Sequence, residues 1–312
     1  MNDSRGFLHP ETLAKIQRLE LRARNVVEGV LNGNHRSPFF GQSVEFAQHR
    51  PYVPGDDLRH VDWKVWARQD RLYVKQFEEE TDLRCTIMLD ISPSMTYGRQ
   101  ALTKLEYAAT LAASFAWLVQ RQQDAVGMIL FDDQIQSQMA QRASQTALQQ
   151  MLNQLETTVA DASHAASDEE QAEDQEADVA GVFRKAASLL PKRSLWIIIS
   201  DLLVDLPSLR QGLRGLTSTG NEVLLLHVMD DDELDFPFEH PSQFEGLENS
   251  QWLRCHPREL RDNYLAEVHD YLDQVRQLVA TYDVDYRLTR TSESLAGAIT
   301  AFLSRRARRL GR

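Results

Sequence analysis

Apolar and polar positions along this chain fall into three regimes. From Thr12 to Leu31, Leu13, Ile16, Leu19, Val26, Val27 and Val30 recur near a helical period until Asn32-Gly33-Asn34 breaks it, which predicts an N-terminal helix. From Ser37 to Phe77 that rhythm is lost. Gly41, Pro51, Pro54 and Gly55 punctuate a segment dense in aromatics: Phe39, Phe40, Phe46, Tyr52, Trp63, Trp66, Tyr73 and Phe77. Such punctuation predicts a small subdomain of strands and turns. After Glu80, apolar runs alternate with amphipathic stretches. The runs Cys85–Leu89, Ala125–Phe131, Leu195–Ile199, Val223–Met229 and Val284–Leu288 predict strands buried on both faces, as in a parallel sheet. Helices are predicted over Thr103–Gln120, Gln145–Leu155, Val179–Leu190, Leu206–Ser218, Pro257–Tyr282 and Glu293–Arg309. In the first, Leu105, Ala108, Leu111, Ala112, Phe115 and Leu118 make one apolar stripe. Strand–helix alternation of this kind folds through right-handed crossovers into a three-layer, doubly wound α/β sandwich with a mostly parallel sheet.

Two segments interrupt the alternation. Asp161 to Asp178 carries eight acidic residues, no Lys or Arg and almost no large apolar group; this composition predicts an unstructured acidic loop, bounded at residues 160–178. Residues 231–256, with Phe236, Pro237, Phe238, Pro241 and Phe244, read as an excursion with a short edge strand around Gln251–Cys255. The expected organisation is an N-terminal helix in residues 1–36, an aromatic-rich, mainly β subdomain in 37–80 and an α/β domain in 81–312. A length of 312 residues suits one large domain with an appendage.

Composition narrows the function. A formal net charge of −12 argues against a general nucleic-acid binder. The two cysteines, Cys85 and Cys255, lie far apart in sequence and predict a reducing compartment without a disulfide framework. Met1 to Leu21 has no apolar core of signal-peptide type. No apolar stretch approaches the roughly 18–20 residues that span a bilayer. The expected location is the cytoplasm.

Several apolar runs end in aspartate: Asp90, Asp132, Asp201 and Asp230. Taken singly, each reads as a cap or turn residue. Asp90 differs in its company. In Asp90-Ile91-Ser92-Pro93-Ser94 three hard oxygen groups alternate where a buried strand leaves its sheet. That set suits a divalent cation with oxygen ligands, such as magnesium, and ligands of open α/β sheets bind beyond the carboxyl ends of the strands. Other chemistries lack their residues. There is no G-x-x-x-x-G-K-[ST] phosphate loop, no G-x-S-x-G elbow and no zinc-type Cys/His spacing. His227 reads as a satisfied core histidine. A phosphotransferase-type aspartate loop would need a second acid where Ser92 stands.

The stretch Leu89-Asp90-Ile91-Ser92-Pro93-Ser94-Met95 resembles the Asp-x-Ser-x-Ser motif of von Willebrand factor type A domains, which opens their metal-ion-dependent adhesion site (MIDAS). In that family a second aspartate follows the fourth strand, and Ile197-Ile198-Ile199-Ser200-Asp201 is similar to that element, so the resemblance makes Asp201 the partner of Asp90. The family's pattern also has a threonine ligand before the third helix. Here Ala177 and Asp178 fall at that place. The ligand is lost, Asp178 replaces it, or Thr157 or Thr158 folds back; Asp178 is equally an N-cap of its helix. Upstream, Gly41-Gln42-Ser43-Val44-Glu45-Phe46, Arg50 through Trp63 with its Pro54-Gly55-Asp56-Asp57 turn, and Ala67-Arg68 resemble the signature of the domain-of-unknown-function 58 family, bacterial proteins in which such a segment precedes a von Willebrand A-like domain. This resemblance covers roughly Gly33 to the C-terminus. Within the signature, Arg50, Asp56, Asp57, Arg59 and Asp62 are expected to form an ion-pair and turn network, and His60 sits in the same structural string.

The resemblance implies a non-enzymatic interaction module. Mg2+ or Mn2+ would be held by Asp90, Ser92, Ser94 and Asp201, with Asp178 as a fifth candidate, and a carboxylate of a partner protein would complete the coordination. The implied partner is a MoxR-type AAA+ ATPase, in chaperone-like assembly or maturation of another complex. Two alternatives stay open: a metal-dependent hydrolase using the same cluster, disfavoured because no general base accompanies it, and a scaffold whose metal site has decayed.

Overall fold

The computed structural model describes residues 10–13, 18–32, 42–51, 65, 73–80, 83–165, 179–189, 193–246 and 252–300. Where the periodicity predicts one N-terminal helix, two are found, α1 (Pro10–Leu13) and α2 (Leu19–Asn32). In the aromatic-rich segment, β1 (Gln42–Pro51) and β2 (Tyr73–Glu80) form an antiparallel pair. Asp56, Asp57, Arg59, His60 and Asp62 of the expected ion-pair network lie outside the described residues, as does the basic C-terminal tail.

The alternating region follows as β3 (Arg84–Asp90), α3 (Lys104–Arg121), β4 (Ala125–Phe131), β5 (Ile135–Arg142), α4 (Gln145–Ala165), α5 (Val179–Leu189), β6 (Leu195–Ser200), α6 (Leu206–Thr217), β7 (Glu222–Met229), α7 (Asp231–Asp235), β8 (Ser242–Glu245), β9 (Trp252–Cys255), α8 (Pro257–Thr281) and β10 (Asp285–Arg290). A final helical stretch begins at residue 295. Six strands make one sheet in the order β10-β7-β6-β3-β4-β5, parallel except for β5. The result is a mixed α/β fold with a mostly parallel sheet flanked by helices.

The period-2 alternation of a strand explains why both faces are covered. Ile87, Leu89, Ile197 and Ile199 pack into one core with Leu105, Ala108, Leu111 and Phe115 of α3 and Val26 and Val27 of α2. The intervening Met88, Trp196 and Ile198 pack into a second core with Phe183 of α5, Leu209 and Leu213 of α6 and Val275 of α8. Every residue of β6 is buried. Each fully buried side chain of this size contributes about 1.5–3 kcal/mol. On the second face, α5 and α6 approach so closely that a Cβ added to Gly212 would lie 2.6 Å from the Phe183 ring.

Four elements depart from the pattern reading. β10, expected from Val284–Leu288 to be buried on both faces, is an edge strand in which five of six residues are half-buried. β5 is an antiparallel edge strand that no continuous apolar run announces; its residues alternate between half-buried and exposed. α4 runs to Ala165, six residues into the 160–178 segment that composition marks as an acidic loop, because Val159 and Ala162 still pack on the core; residues 166–178 lie outside the described part. In the excursion, β9 pairs with β8 in a separate two-stranded sheet. There Phe236, Phe238, Phe244 and Tyr264 form an aromatic cluster with ring centroids 4.6–5.8 Å apart.

Candidate functional site

The chain moves outward from β3 in one direction through β4 and β5, then returns to the other side of β3 with β6, β7 and β10. The switch point therefore lies between the carboxyl ends of β3 and β6, where open α/β sheets bind ligands. Leu89 pairs with Ile199 across it, so Asp90 and Ser200-Asp201 leave the sheet side by side.

Asp90 is buried. Its Oδ1 accepts the Ser92 backbone N–H at 3.0 Å, and its Oδ2 accepts the Ser200 hydroxyl at 2.5 Å. The hydroxyls of Ser92 and Ser94 lie 3.1 Å apart. Pro93 starts a short 3-10 turn that holds this loop over the end of β3. Burial, and then the negative charge of Asp201, push the Asp90 carboxyl up to about 7, against the hydrogen bonds from Ser200 and Ser92.

Asp201 is held by a strained turn. Leu202 adopts a left-handed conformation with φ 52°, which costs about 1 kcal/mol or more for a side chain other than glycine. Neighbouring groups fix it: its N–H donates to Ser200 Oγ at 2.9 Å, and its carbonyl accepts the Tyr271 hydroxyl at 2.5 Å. The same hydroxyl reaches the Val204 carbonyl at 3.1 Å. The turn leaves Leu203 57% exposed, an apolar side chain at the rim of the site.

Asp201 Oδ1 accepts the Leu203 N–H at 3.3 Å, and its Oδ2 has a partner that pattern reading misses. Lys104, the first residue of α3, is fully buried, and its Nζ lies 2.7 Å from Asp201 Oδ2 and 2.6 Å from Glu233 Oε1. Burial works to lower the lysine's pKa, but the two carboxylates outweigh it and hold it above its ordinary value. The placement has a local cause. Thr103 caps α3 in a reciprocal capping box with Glu106, which sets the helix start and directs residue 104 at the sheet end. Glu233 is anchored too, accepting the Asp230 N–H at 2.7 Å within a second capping box. The sequence signal was available: Thr-Lys-Leu-Glu ahead of an apolar stripe is a cap with a lysine at its first helical position.

The remaining strand-end aspartates behave as caps and turns. Asp230 caps α7 and accepts the Thr291 hydroxyl at 2.8 Å. Asp132 accepts from Gln134 N–H and the Gln136 amide. His227 is buried as expected, but only its Nδ1 has a partner, the Tyr286 hydroxyl at 2.9 Å; Nε2 makes no hydrogen bond among the described residues. Thr157 does not fold back: it stays in α4, and its hydroxyl donates to the Asn153 carbonyl. Thr158 stays in the same helix. Asp178 lies outside the described residues.

The donor set fits a small, hard cation in type. Two carboxylates and two serine hydroxyls converge, and one carboxyl is buried with its ionised form unfavourable. Among the described residues no group of three or more His, Cys, Asp or Glu is placed to hold a metal, so such an ion would depend on the hydroxyls and on Asp201, whose Oδ2 already faces an ammonium.

The fold is a mixed α/β one with a mostly parallel sheet, and Asp90 and Asp201 leave it side by side at its switch point. Residues 48–272 match the family described as Protein of unknown function DUF58, and the chain belongs to that family. Uncharacterised proteins of Mycobacterium tuberculosis and Mycobacterium bovis are 27% identical over 232 residues, 73% of this chain and 68% of theirs. Similar solved structures include conserved hypothetical protein BatB from Bacteroides thetaiotaomicron, at 17% identity, 72% of this chain, 99% of that one and a TM-score of 0.48. An aerotolerance-related membrane protein from Bacteroides fragilis is similar at 18% identity, 72% and 99% coverage and a TM-score of 0.45. No helix among the described residues is long and apolar enough to cross a membrane.

Proposed function

We propose that this chain is a non-enzymatic protein-interaction module with a von Willebrand A-like sheet, binding its partner through a divalent cation at the β3–β6 switch point. The observation that carries the reading is the placement of the buried Asp90 carboxyl beside Asp201 at the switch point, with the Ser92 and Ser94 hydroxyls 3.1 Å apart in the same loop. A buried carboxyl beside a second one gains from added positive charge, and a bound metal would displace any proton it holds. Asp90, Ser92, Ser94 and Asp201 would hold Mg2+ or Mn2+, and Asp178 is kept as a fifth candidate. A magnesium-type ion keeps exchangeable waters, one of which a partner carboxylate replaces. Exposed Leu203 at the rim offers apolar contact to the same partner.

The proposed partner is a MoxR-type AAA+ ATPase, and the proposed setting is cytoplasmic, chaperone-like assembly or maturation of another complex. The test is capture of a purified MoxR-type ATPase by the immobilised protein in millimolar Mg2+ and in EDTA. Capture that EDTA abolishes and Asp90→Ala prevents supports the reading. Capture indifferent to both overturns the metal bridge.

A further inference from the structure

We infer that Lys104 is an internal cation that competes with the divalent ion for Asp201 and so sets the metal affinity of the site. This rests on the metal reading above and adds to it the residue that controls occupancy. Three observations carry it. The ammonium is buried and lies 2.7 Å from Oδ2 of Asp201, one of the two carboxylates proposed to hold the ion. Glu233 holds the ammonium from its other side at 2.6 Å. Glu233 is itself fixed through Oε2 by the Asp230 N–H, so the lysine has a second anchor that does not depend on Asp201. A divalent ion meeting Asp201 therefore meets a like charge about one hydrogen-bond length beyond it, in a poorly solvated place where repulsion is weakly screened. Full occupancy requires the ammonium to yield Asp201 and remain with Glu233. The isolated protein then binds the ion weakly, and a second favourable contact, such as a partner carboxylate, raises its occupancy.

The test is calorimetric titration of Mn2+ into chelator-stripped, full-length protein, with metal-induced shift of the melting temperature as a second readout. Four proteins are compared, with Asp90→Ala as the metal-site control: wild type, Lys104→Met, Lys104→Arg, and Lys104→Met/Glu233→Gln. The double variant removes one positive and one negative charge together, so it keeps the local balance if Lys104→Met alone fails to fold. The expected result is weak binding by wild type and by Lys104→Arg, with binding tighter by at least about tenfold, 1.4 kcal/mol, in Lys104→Met or the double variant. The metal-induced melting shift grows in the same order. Structural damage alone would weaken binding, so a gain in affinity reports on competition. Equal or weaker binding by the lysine-free variants, with wild-type binding abolished by Asp90→Ala, overturns the role of Lys104 and leaves the metal site standing. No binding by any of the four overturns both.

Discussion

Asp90 and His227 pull the pH dependence of stability in opposite directions. Asp90 has an ordinary value of 3.8 and about 7 when folded, because burial and Asp201 disfavour its charge. Between those values the folded state holds a proton that the unfolded chain has released, so stability falls as pH rises from about 4 to about 7. His227 is lowered from 6.5 to about 4, chiefly by burial. Its contribution is fully present above 6.5 and is lost as pH falls towards 4. In chelator, Asp90→Asn removes the first dependence and keeps the second. Urea unfolding at stepped pH is then expected to show the variant gaining on wild type by roughly 3 kcal/mol between pH 4 and 7; a constant gap contradicts the assignment. Lys104→Ala leaves buried Asp201 and half-buried Glu233 without their counterion and is expected to cost about 3–5 kcal/mol in the same assay. Asp90, Ser92, Ser94 and Asp201 were legible in the sequence because strand ends announce themselves by apolar runs. For Lys104 the helix start was legible in Thr103-Lys104-Leu105-Glu106, but its pairing with Asp201, 97 positions away in sequence, is encoded by no local pattern.

The elements show the same division. Strands buried on both faces were legible, and β3, β4, β6 and β7 lie within one residue of the runs that predict them. β5 escaped because an edge strand alternates instead of forming a run. The length of α4 escaped because the acidity of the segment hides its packing: Val159 and Ala162 keep the helix on the core to Ala165. The helix start that matters most is α3. Thr103→Ala removes the cap that orients Lys104 and is expected to cost about 1 kcal/mol of stability, measured as a shift in the denaturation midpoint with unchanged slope. Gly212→Val forces a side chain into the Phe183 ring and is expected to cost about 1–3 kcal/mol by overpacking. A neutral result at either position would contradict the packing described.

For the whole molecule, the sheet order makes the β3–β6 end the natural binding locus, and its charges decide how it is used. The loop carries oxygen donors, the neighbouring strand a second carboxylate, and α3 a buried ammonium that shares it. Under the proposed metal reading, this arrangement favours conditional occupancy over permanent structural metal. The most direct measurement is equilibrium dialysis of Mn2+ against the chelator-stripped protein, wild type and Asp90→Ala, up to millimolar metal. The account predicts one saturable site in wild type that Asp90→Ala eliminates. Absence of saturable binding in wild type, or binding that survives the substitution, would contradict it.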